Sequence, residues 1–134
     1  MLNENSVIKF NANVKSPRRF VFVLMENFTL LSFSSALDAL RIANRMSGKT
    51  LYEWTFIGEN EGVVSCSAGT QFKLDNSLIE LHRDDTVLLC GGTSIQEATT
   101  KKLIGWLRRE ARRGLTIGGL CTAAYPMAKA GLLD

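Results

Sequence analysis

Cys121 is the residue of this chain with the clearest capacity for chemistry, because it stands where an apolar run meets a segment rich in helix formers. Residues 115–117 form the apolar, β-branched run, and the two glycines that follow permit a sharp change of direction. A cysteine in such a strand-to-helix elbow lies on a strained turn, where backbone N–H groups stabilise a thiolate or bind an anion. The pattern predicts a reactive or ligand-contacting thiol, followed by a helix over residues 122–130.

The elbow pattern is incomplete, and a second interpretation stays open. Nucleophile elbows have a small residue, usually glycine, two places after the nucleophile, and Ala123 occupies that place here. Cysteine is also among the most buried residue types in proteins. Cys121 is therefore either the centre of a site or a structural thiol packed between a strand and a helix.

The composition is that of one ordinary globular domain. The chain has 134 residues, of which 46% are hydrophobic and 22% charged, and a net charge of +3 that by itself does not indicate nucleic-acid binding. Three cysteines and one histidine provide no zinc-ligand spacing, so we predict no metal and no cofactor. No apolar run approaches the roughly 20 residues of a membrane helix, and the chain does not open on a signal peptide. These features predict a cytoplasmic protein with reduced thiols and no membrane contact.

Two further groups of polar residues are interpreted as surface features. His82 lies in a polar linker beside Arg83 and Asp84, which is an unusual place for the base of a cysteine nucleophile. A basic run has helical spacing opposite leucines and is predicted to form a solvated helix face rather than a phosphate-binding patch. This run consists of Arg108, Arg109, Arg112 and Arg113.

Apolar runs alternate with helical patterns along the chain. Residues 1–18 are polar and aperiodic and are predicted to form a flexible leader before the domain at 19–134. Strands are predicted at 20–25, 52–57, 86–90 and in the elbow run, helices at 32–46 and 95–113, and an edge hairpin at 63–74. The first helix is predicted to bury Leu37, Leu40 and Ala43 and to end at Gly48. This order implies an α/β fold, a doubly wound, mostly parallel sheet with helices on both faces.

The carboxyl ends of parallel strands meet at one edge of a sheet, where ligands bind in such folds. Three loops should converge there, at residues 26–32, 91–94 and 120–122. We therefore expect a small-molecule site built from polar and glycine residues of these loops. The predicted lining residues are Asn27, Phe28, Ser32, Gly92, Thr93, Cys121 and Thr122.

Several motifs resemble the amino-terminal domain of GlxA-type regulators of the AraC family, a domain similar to PfpI proteins and class I glutamine amidotransferases. They are Leu-Arg-Ile-Ala-Asn-Arg-Met-Ser-Gly at 40–48, the glycine pair at 91–92, Gly-Leu-Cys-Thr-Ala at 119–123 and Ala-Gly-Leu-Leu-Asp at 130–134. The resemblance runs from about Arg19 to Asp134. It implies a flavodoxin-like sensor domain that responds to a small nitrogenous metabolite such as a betaine, carnitine or arginine.

The same resemblance implies partners and a longer protein. GlxA-type regulators are expected to dimerise and to bind DNA through a carboxyl-terminal helix-turn-helix domain, which this chain does not contain. Their sensor domain also continues with further strands, so the sequence resembles one truncated after the elbow helix, with an open sheet edge.

Catalysis is disfavoured by the charges around the elbow. In PfpI-like enzymes a glutamate after the first strand approaches the cysteine, and by its spacing that position falls at or beside Ser32 here. Residues 27–36 contain no acid, Glu26 is the only carboxylate nearby, and the histidine of amidotransferases would lie beyond Asp134. A thiolate without a positioned partner lacks a proton acceptor or donor for turnover. We therefore predict no catalytic residues, and a PfpI-type hydrolase or lyase and a purely dimerising domain remain the alternatives.

Overall fold

A four-stranded parallel sheet forms the centre of the computed structural model, which describes residues 16–133. Its strands are β1 (Arg18–Leu24), β2 (Tyr52–Ile57), β5 (Thr86–Cys90) and β6 (Thr116–Leu120), in the order β2-β1-β5-β6. Strands β3 (Val63–Ser65) and β4 (Gln71–Lys73) form a separate antiparallel hairpin. The predicted parallel sheet and hairpin are confirmed.

The predicted leader falls mostly on residues 1–15, which lie outside the described part of the chain. Its last residue, Arg18, is already the first residue of β1, and its backbone N–H donates to the Leu51 carbonyl at 3.0 Å. The sheet therefore begins one residue earlier than the predicted domain boundary.

The helices are α1 (Leu30–Ser47), α2 (Ile95–Ala98), α3 (Lys101–Arg112) and α4 (Ala124–Lys129), with a 3₁₀ turn at Cys121–Ala123 before α4. Gly48 ends α1 as predicted, in the left-handed conformation with φ 69°. The prediction of one helix over 95–113 is wrong. Thr100 interrupts it, because the Thr100 hydroxyl accepts the Leu103 N–H at 3.1 Å and so begins a new helix as an N-cap.

Side chains of β1 alternate between two cores, one on each face of the sheet. Val21 and Val23 pack with α3 and α4, whereas Phe22 and Leu24 pack with α1 and the hairpin. This arrangement places helices on both faces, as a doubly wound fold requires.

Phe33 is the residue that holds α1 on the sheet. Its ring is 1% exposed and makes edge-to-face contacts with four other phenylalanines at centroid distances of 5.2 to 5.6 Å. The helix residues predicted to be buried, Leu37, Leu40 and Ala43, are only partly so. Phe33 was not among the predicted core residues, because it lies one helical turn before that predicted apolar face.

The glycines before Cys121 do not form the turn that the sequence suggested. Gly118 and Gly119 belong to β6, and a Cβ on Gly119 would lie 2.8 Å from Met127 Sδ and 3.1 Å from Ala123 Cβ. Gly119 therefore lets α4 pack closely on the end of the strand. The change of direction occurs at Cys121 itself.

The basic run is only partly a solvated face. Arg109 and Arg112 are exposed, but Arg113 donates to a buried carboxylate oxygen of Glu110 at 2.8 Å and to the Leu81 carbonyl at 2.7 Å. Arg108 donates to the Ala130 carbonyl at 3.3 Å. Two members of the run therefore fasten α3 to neighbouring segments.

Replacing Phe33 should destabilise the domain strongly. Phe33→Ala removes a fully buried ring and should lower the free energy of unfolding by about 3–5 kcal/mol, measured by urea denaturation. Leu31→Ala is the matched control, because Leu31 lies on the same helix but is 75% exposed, and its effect should stay within about 0.5 kcal/mol. Equal losses for the two variants would contradict the assigned anchoring role.

Candidate functional site

Three loops meet at the carboxyl edge of the sheet. They follow β1, β5 and β6, and Phe28 forms backbone bridges both to Gly92 and to Cys66. The chain leaves β1 and β5, the two central strands, towards opposite faces of the sheet, through α1 and α2–α3 respectively. The loops therefore lie at the switch point where open α/β sheets form their ligand crevice.

Cys121 occupies a strained and accessible position at this edge. Its φ is 57°, in the left-handed region that non-glycine residues rarely adopt, and its side chain is exposed. Such a conformation costs about 1–3 kcal/mol, and residues that adopt it cluster at functional sites. The interpretation of Cys121 as a buried structural thiol is therefore wrong, and the elbow geometry is present.

Thr29 is the polar neighbour of the thiol, and the sequence analysis missed it. Thr29 Oγ1 lies 3.2 Å from Cys121 Sγ, although the two residues are 92 positions apart. Thr29 stands at the N-cap position of α1 but makes no side-chain cap hydrogen bond, and Ser67 Oγ accepts the Leu30 N–H instead. The sequence did contain a signal for Thr29, namely a threonine directly before a helix in one of the converging loops.

Asn27 and Gly92 bring the first two loops into close contact. Asn27 has φ 61° and donates through Nδ2 to Ser94 Oγ at 2.8 Å. A Cβ on Gly92 would collide with the Asn27 carbonyl, so only glycine fits there. The Thr122 hydroxyl donates to the Gly92 carbonyl at 2.7 Å and joins the third loop to the second.

The remaining predicted lining residues differ in how exposed they are. The Phe28 side chain is fully buried against Phe33 and Phe72, so it contributes core and not surface. Ser32 is partly buried and donates to the Thr29 carbonyl at 3.2 Å, whereas Thr93 is exposed. Binding by these residues stays a prediction.

The hydrogen-bond partner of the Cys121 thiol is a hydroxyl group and not an acid or an imidazole, within residues 16–133. Glu26 lines a different cavity, whose lining does not include Cys121. His82 lies before β5, at the amino edge of the sheet, and is exposed next to Asp84. The site so described can donate and accept hydrogen bonds, but no acid or imidazole is positioned to move a proton at the thiol.

The other two cysteines differ from Cys121 in accessibility. Cys66 and Cys90 are both buried in the core on the α1 face of the sheet. Burial in an apolar setting raises the pKa of the Cys90 thiol to about 12, because desolvation disfavours the thiolate. Cys121 is thus the accessible thiol of the domain.

The described residues also bear on metal binding and on membrane spanning. They contain no group of three or more His, Cys, Asp or Glu side chains arranged to hold a metal ion. No helix among residues 16–133 is both long and apolar enough to cross a bilayer.

Two bacterial transcriptional regulators are similar in sequence to this chain. The chain is 38% identical over 120 residues to the HTH-type transcriptional regulator GbdR of Pseudomonas aeruginosa, with 90% of this chain and 33% of GbdR covered. It is 34% identical to the HTH-type transcriptional regulator GlxA of Rhizobium meliloti over 125 residues, which are 92% of this chain and 39% of GlxA. The chain therefore spans about a third of the length of these curated relatives.

A solved structure agrees with this comparison. An AraC family transcriptional regulator from Pseudomonas putida superposes with a TM-score of 0.77 at 27% identity, over 86% of this chain and 71% of the solved chain. The resemblance to the amino-terminal region of AraC-family regulators, inferred from the sequence motifs, is confirmed. The model of the DJ-1/PfpI family matches residues 18–134, and the chain belongs to that family.

Proposed function

We propose that this domain is the ligand-sensing part of an AraC-type transcription regulator. In this proposal a small molecule binds beside Cys121 and controls a DNA-binding domain attached at the carboxyl end. The observation that carries it is the pairing of an exposed, strained elbow thiol with the Thr29 hydroxyl, where an enzyme would need a proton-transfer group. The similarity to regulators such as GbdR and GlxA supports the same class.

Binding is favoured over catalysis by the chemistry at the thiol. A threonine hydroxyl does not ionise near neutral pH, so Thr29 orients the thiol but does not act as a general base. Ser32 stands at or beside the position where PfpI-like enzymes are expected to hold a glutamate, and its hydroxyl donates to the Thr29 carbonyl at the start of α1. Within residues 16–133, the site thus has an accessible cysteine but no acid or imidazole bonded to it.

The proposed ligand class is based on the polar groups around Cys121. The hydroxyls of Thr29 and Thr93 and the thiol of Cys121 are small polar groups of the kind that donate hydrogen bonds to a carboxylate, whereas the Thr122 hydroxyl already donates to the Gly92 carbonyl. Asn27 adds an amide group bonded to Ser94. Such groups suit a small zwitterion, and we propose a betaine-like or amino-acid-like effector, with no cofactor.

The regulator is further proposed to act as a cytoplasmic homodimer. Regulators that bind paired half-sites match a two-fold operator with a two-fold protein. The dimer, the operator and the location in the cell all follow from the proposed class and not from contacts within residues 16–133.

A PfpI-type hydrolase or lyase is the second candidate. The observation in its favour is the conformation of Cys121, since the nucleophile of an elbow takes the same strained position. In the enzyme the Cys121 thiol would catalyse turnover of a substrate, whereas in the sensor it would only contact a bound effector.

Replacing the thiol and its partner should weaken effector binding. Thr29→Val removes a hydroxyl at nearly constant volume and should raise the Kd of the effector about tenfold, as the loss of one hydrogen bond to a charged group predicts. Cys121→Phe should block the site and abolish the reporter response in cells. Both are measured on the full-length regulator, by calorimetry with glycine betaine, carnitine and arginine and by reporter assay.

Thr50→Val is the matched control for Thr29→Val, because Thr50 is exposed in the connection between α1 and β2 at the opposite edge of the sheet. It should leave both readouts unchanged, and circular dichroism should show all three variants folded. Full effector binding by folded Thr29→Val and Cys121→Phe proteins would rule out this site.

The domain should show no turnover with substrates of PfpI-type hydrolases, deglycases or amidotransferases. The physical reason is that no acid or imidazole is bonded to Cys121 within residues 16–133. The assay compares the full-length protein with a Cys121→Ser variant. Multiple turnovers that disappear in Cys121→Ser would establish the enzyme in place of the sensor.

Alkylation should separate the three cysteines. At pH 8 in native buffer, iodoacetamide should modify Cys121 within minutes and leave the buried Cys66 and Cys90 intact, as peptide mass spectrometry can measure. Denaturation in urea should expose all three. Native labelling of Cys90 at a rate similar to that of Cys121 would contradict the burial that raises its pKa.

A further inference from the structure

A second concave site lies at the carboxyl edge of the sheet, beyond the ends of β1 and β2. It is a cavity of about 140 Å³, and its walls include Glu26 after β1 and Gly58 and Glu59 after β2. The hairpin covers one side and the α2–α3 junction another. Cys121, Thr29 and Gly92 do not line it, so the cavity is separate from the crevice at the elbow.

The cavity has apolar walls and charges of one sign. Its apolar walls include Leu24, Val64 and Leu103, and its charged lining residues are Glu26 and Glu59, with no lysine, arginine or histidine. A cavity of this kind disfavours anions and accommodates a ligand that is cationic at one end and apolar at the other.

Glu59 is held in position, whereas Glu26 is accessible. Glu59 Oε1 accepts the Thr100 hydroxyl at 2.7 Å, and Thr100 is the N-cap of α3, so the carboxylate is fixed at the start of a twelve-residue helix. Glu26 is exposed at the mouth of the cavity. Lys102 is the nearby cation, and its Nζ lies 3.2 Å from the Glu59 carbonyl oxygen, outside the lining.

The size of the cavity limits its ligand. A protein cavity of roughly 150 Å³ holds a molecule of about six non-hydrogen atoms, such as benzene. A metal ion fits poorly, because among residues 16–133 no three potential ligand side chains come together. An ammonium group, by contrast, offers three hydrogen-bond donors to the two carboxylates.

We propose that this cavity binds a small primary ammonium ion with a short alkyl chain, the ammonium between Glu26 and Glu59 and the alkyl chain against Leu24 and Leu103. The site goes beyond the proposed sensing crevice and does not depend on it. A ligand of about five non-hydrogen atoms should bind in the millimolar range, since affinity is limited by the number of atoms in contact.

The probe is n-butylammonium, titrated into the full-length protein and followed by amide NMR shifts. Saturable shifts are expected at Glu26, Gly58 and Glu59 and not at Cys121 or Thr122. Glu26→Gln and Glu59→Gln should each weaken binding about fivefold or more, and Lys102→Met should strengthen it, because a neighbouring positive charge is removed. The uncharged analogue n-butanol should bind at least about tenfold more weakly.

Glu53→Gln is the matched control, because Glu53 is exposed on β2, does not line this cavity, and its replacement changes the net charge equally. It should leave the Kd unchanged. Equal weakening by Glu53→Gln and Glu26→Gln, n-butanol binding as well as the cation, or shifts without saturation would overturn the proposal. Since Glu26 is exposed, its variant remains informative if Glu59→Gln does not fold.

Thr29→Val separates this site from the elbow crevice. It should leave n-butylammonium binding unchanged, whether or not it alters effector binding. Loss of n-butylammonium binding in folded Thr29→Val would place the cation in the elbow crevice and would contradict a separate site.

Discussion

The close approach of Gly92 to the Asn27 carbonyl is the constraint on which the candidate site depends. Side chains larger than hydrogen do not fit at Gly92, so the loops after β1 and β5 come within backbone contact of one another. The Thr29 N–H donates to the Gly91 carbonyl at 3.0 Å across the same contact. The Thr122 hydroxyl donates to the Gly92 carbonyl and so ties the elbow to the same junction.

The thiol and the first helix are joined through Thr29. A threonine before a helix usually satisfies one of the free N–H groups of the first turn. Here its hydroxyl faces Cys121, and Ser67 from the hairpin accepts the N–H of Leu30. The start of α1 is therefore in contact with both the thiol and the hairpin. A molecule that displaced the thiol from Thr29 would act directly on the start of an 18-residue helix.

The acids near the carboxyl edge are separated from the thiol by the fold. Glu26 follows the central strand β1 and lines the cavity on the side of β2. Cys121 follows β6, and the residue of the loop after β1 that contacts its thiol is Thr29 and not Glu26. Two neighbouring parts of one edge thus differ in chemistry: one has hydroxyls and a thiol, and the other has carboxylates and apolar walls.

The sequence by itself determined the fold class, most strand positions, the end of α1 at Gly48 and the family. Continuous apolar runs are sufficient to predict buried parallel strands, because such strands are covered on both faces and their pattern is local in the chain. The elbow at Cys121 was also predicted, since a strand, a cysteine and a helix follow one another directly. The break at Thr100 was not, because a capping side chain competes with helix continuation only by a small free-energy difference.

Only the tertiary structure decided which side chains face the site. Asn27 and Phe28 are adjacent, yet one bonds to Ser94 at the edge and the other is buried among aromatic rings. Thr29 meets Cys121 across 92 positions of sequence. Contacts of this range depend on strand order and on close packing of loops, which no local pattern encodes. Gly119 illustrates the same point, because its role is set by Met127 and Ala123 packed against it and not by the turn that the sequence suggests.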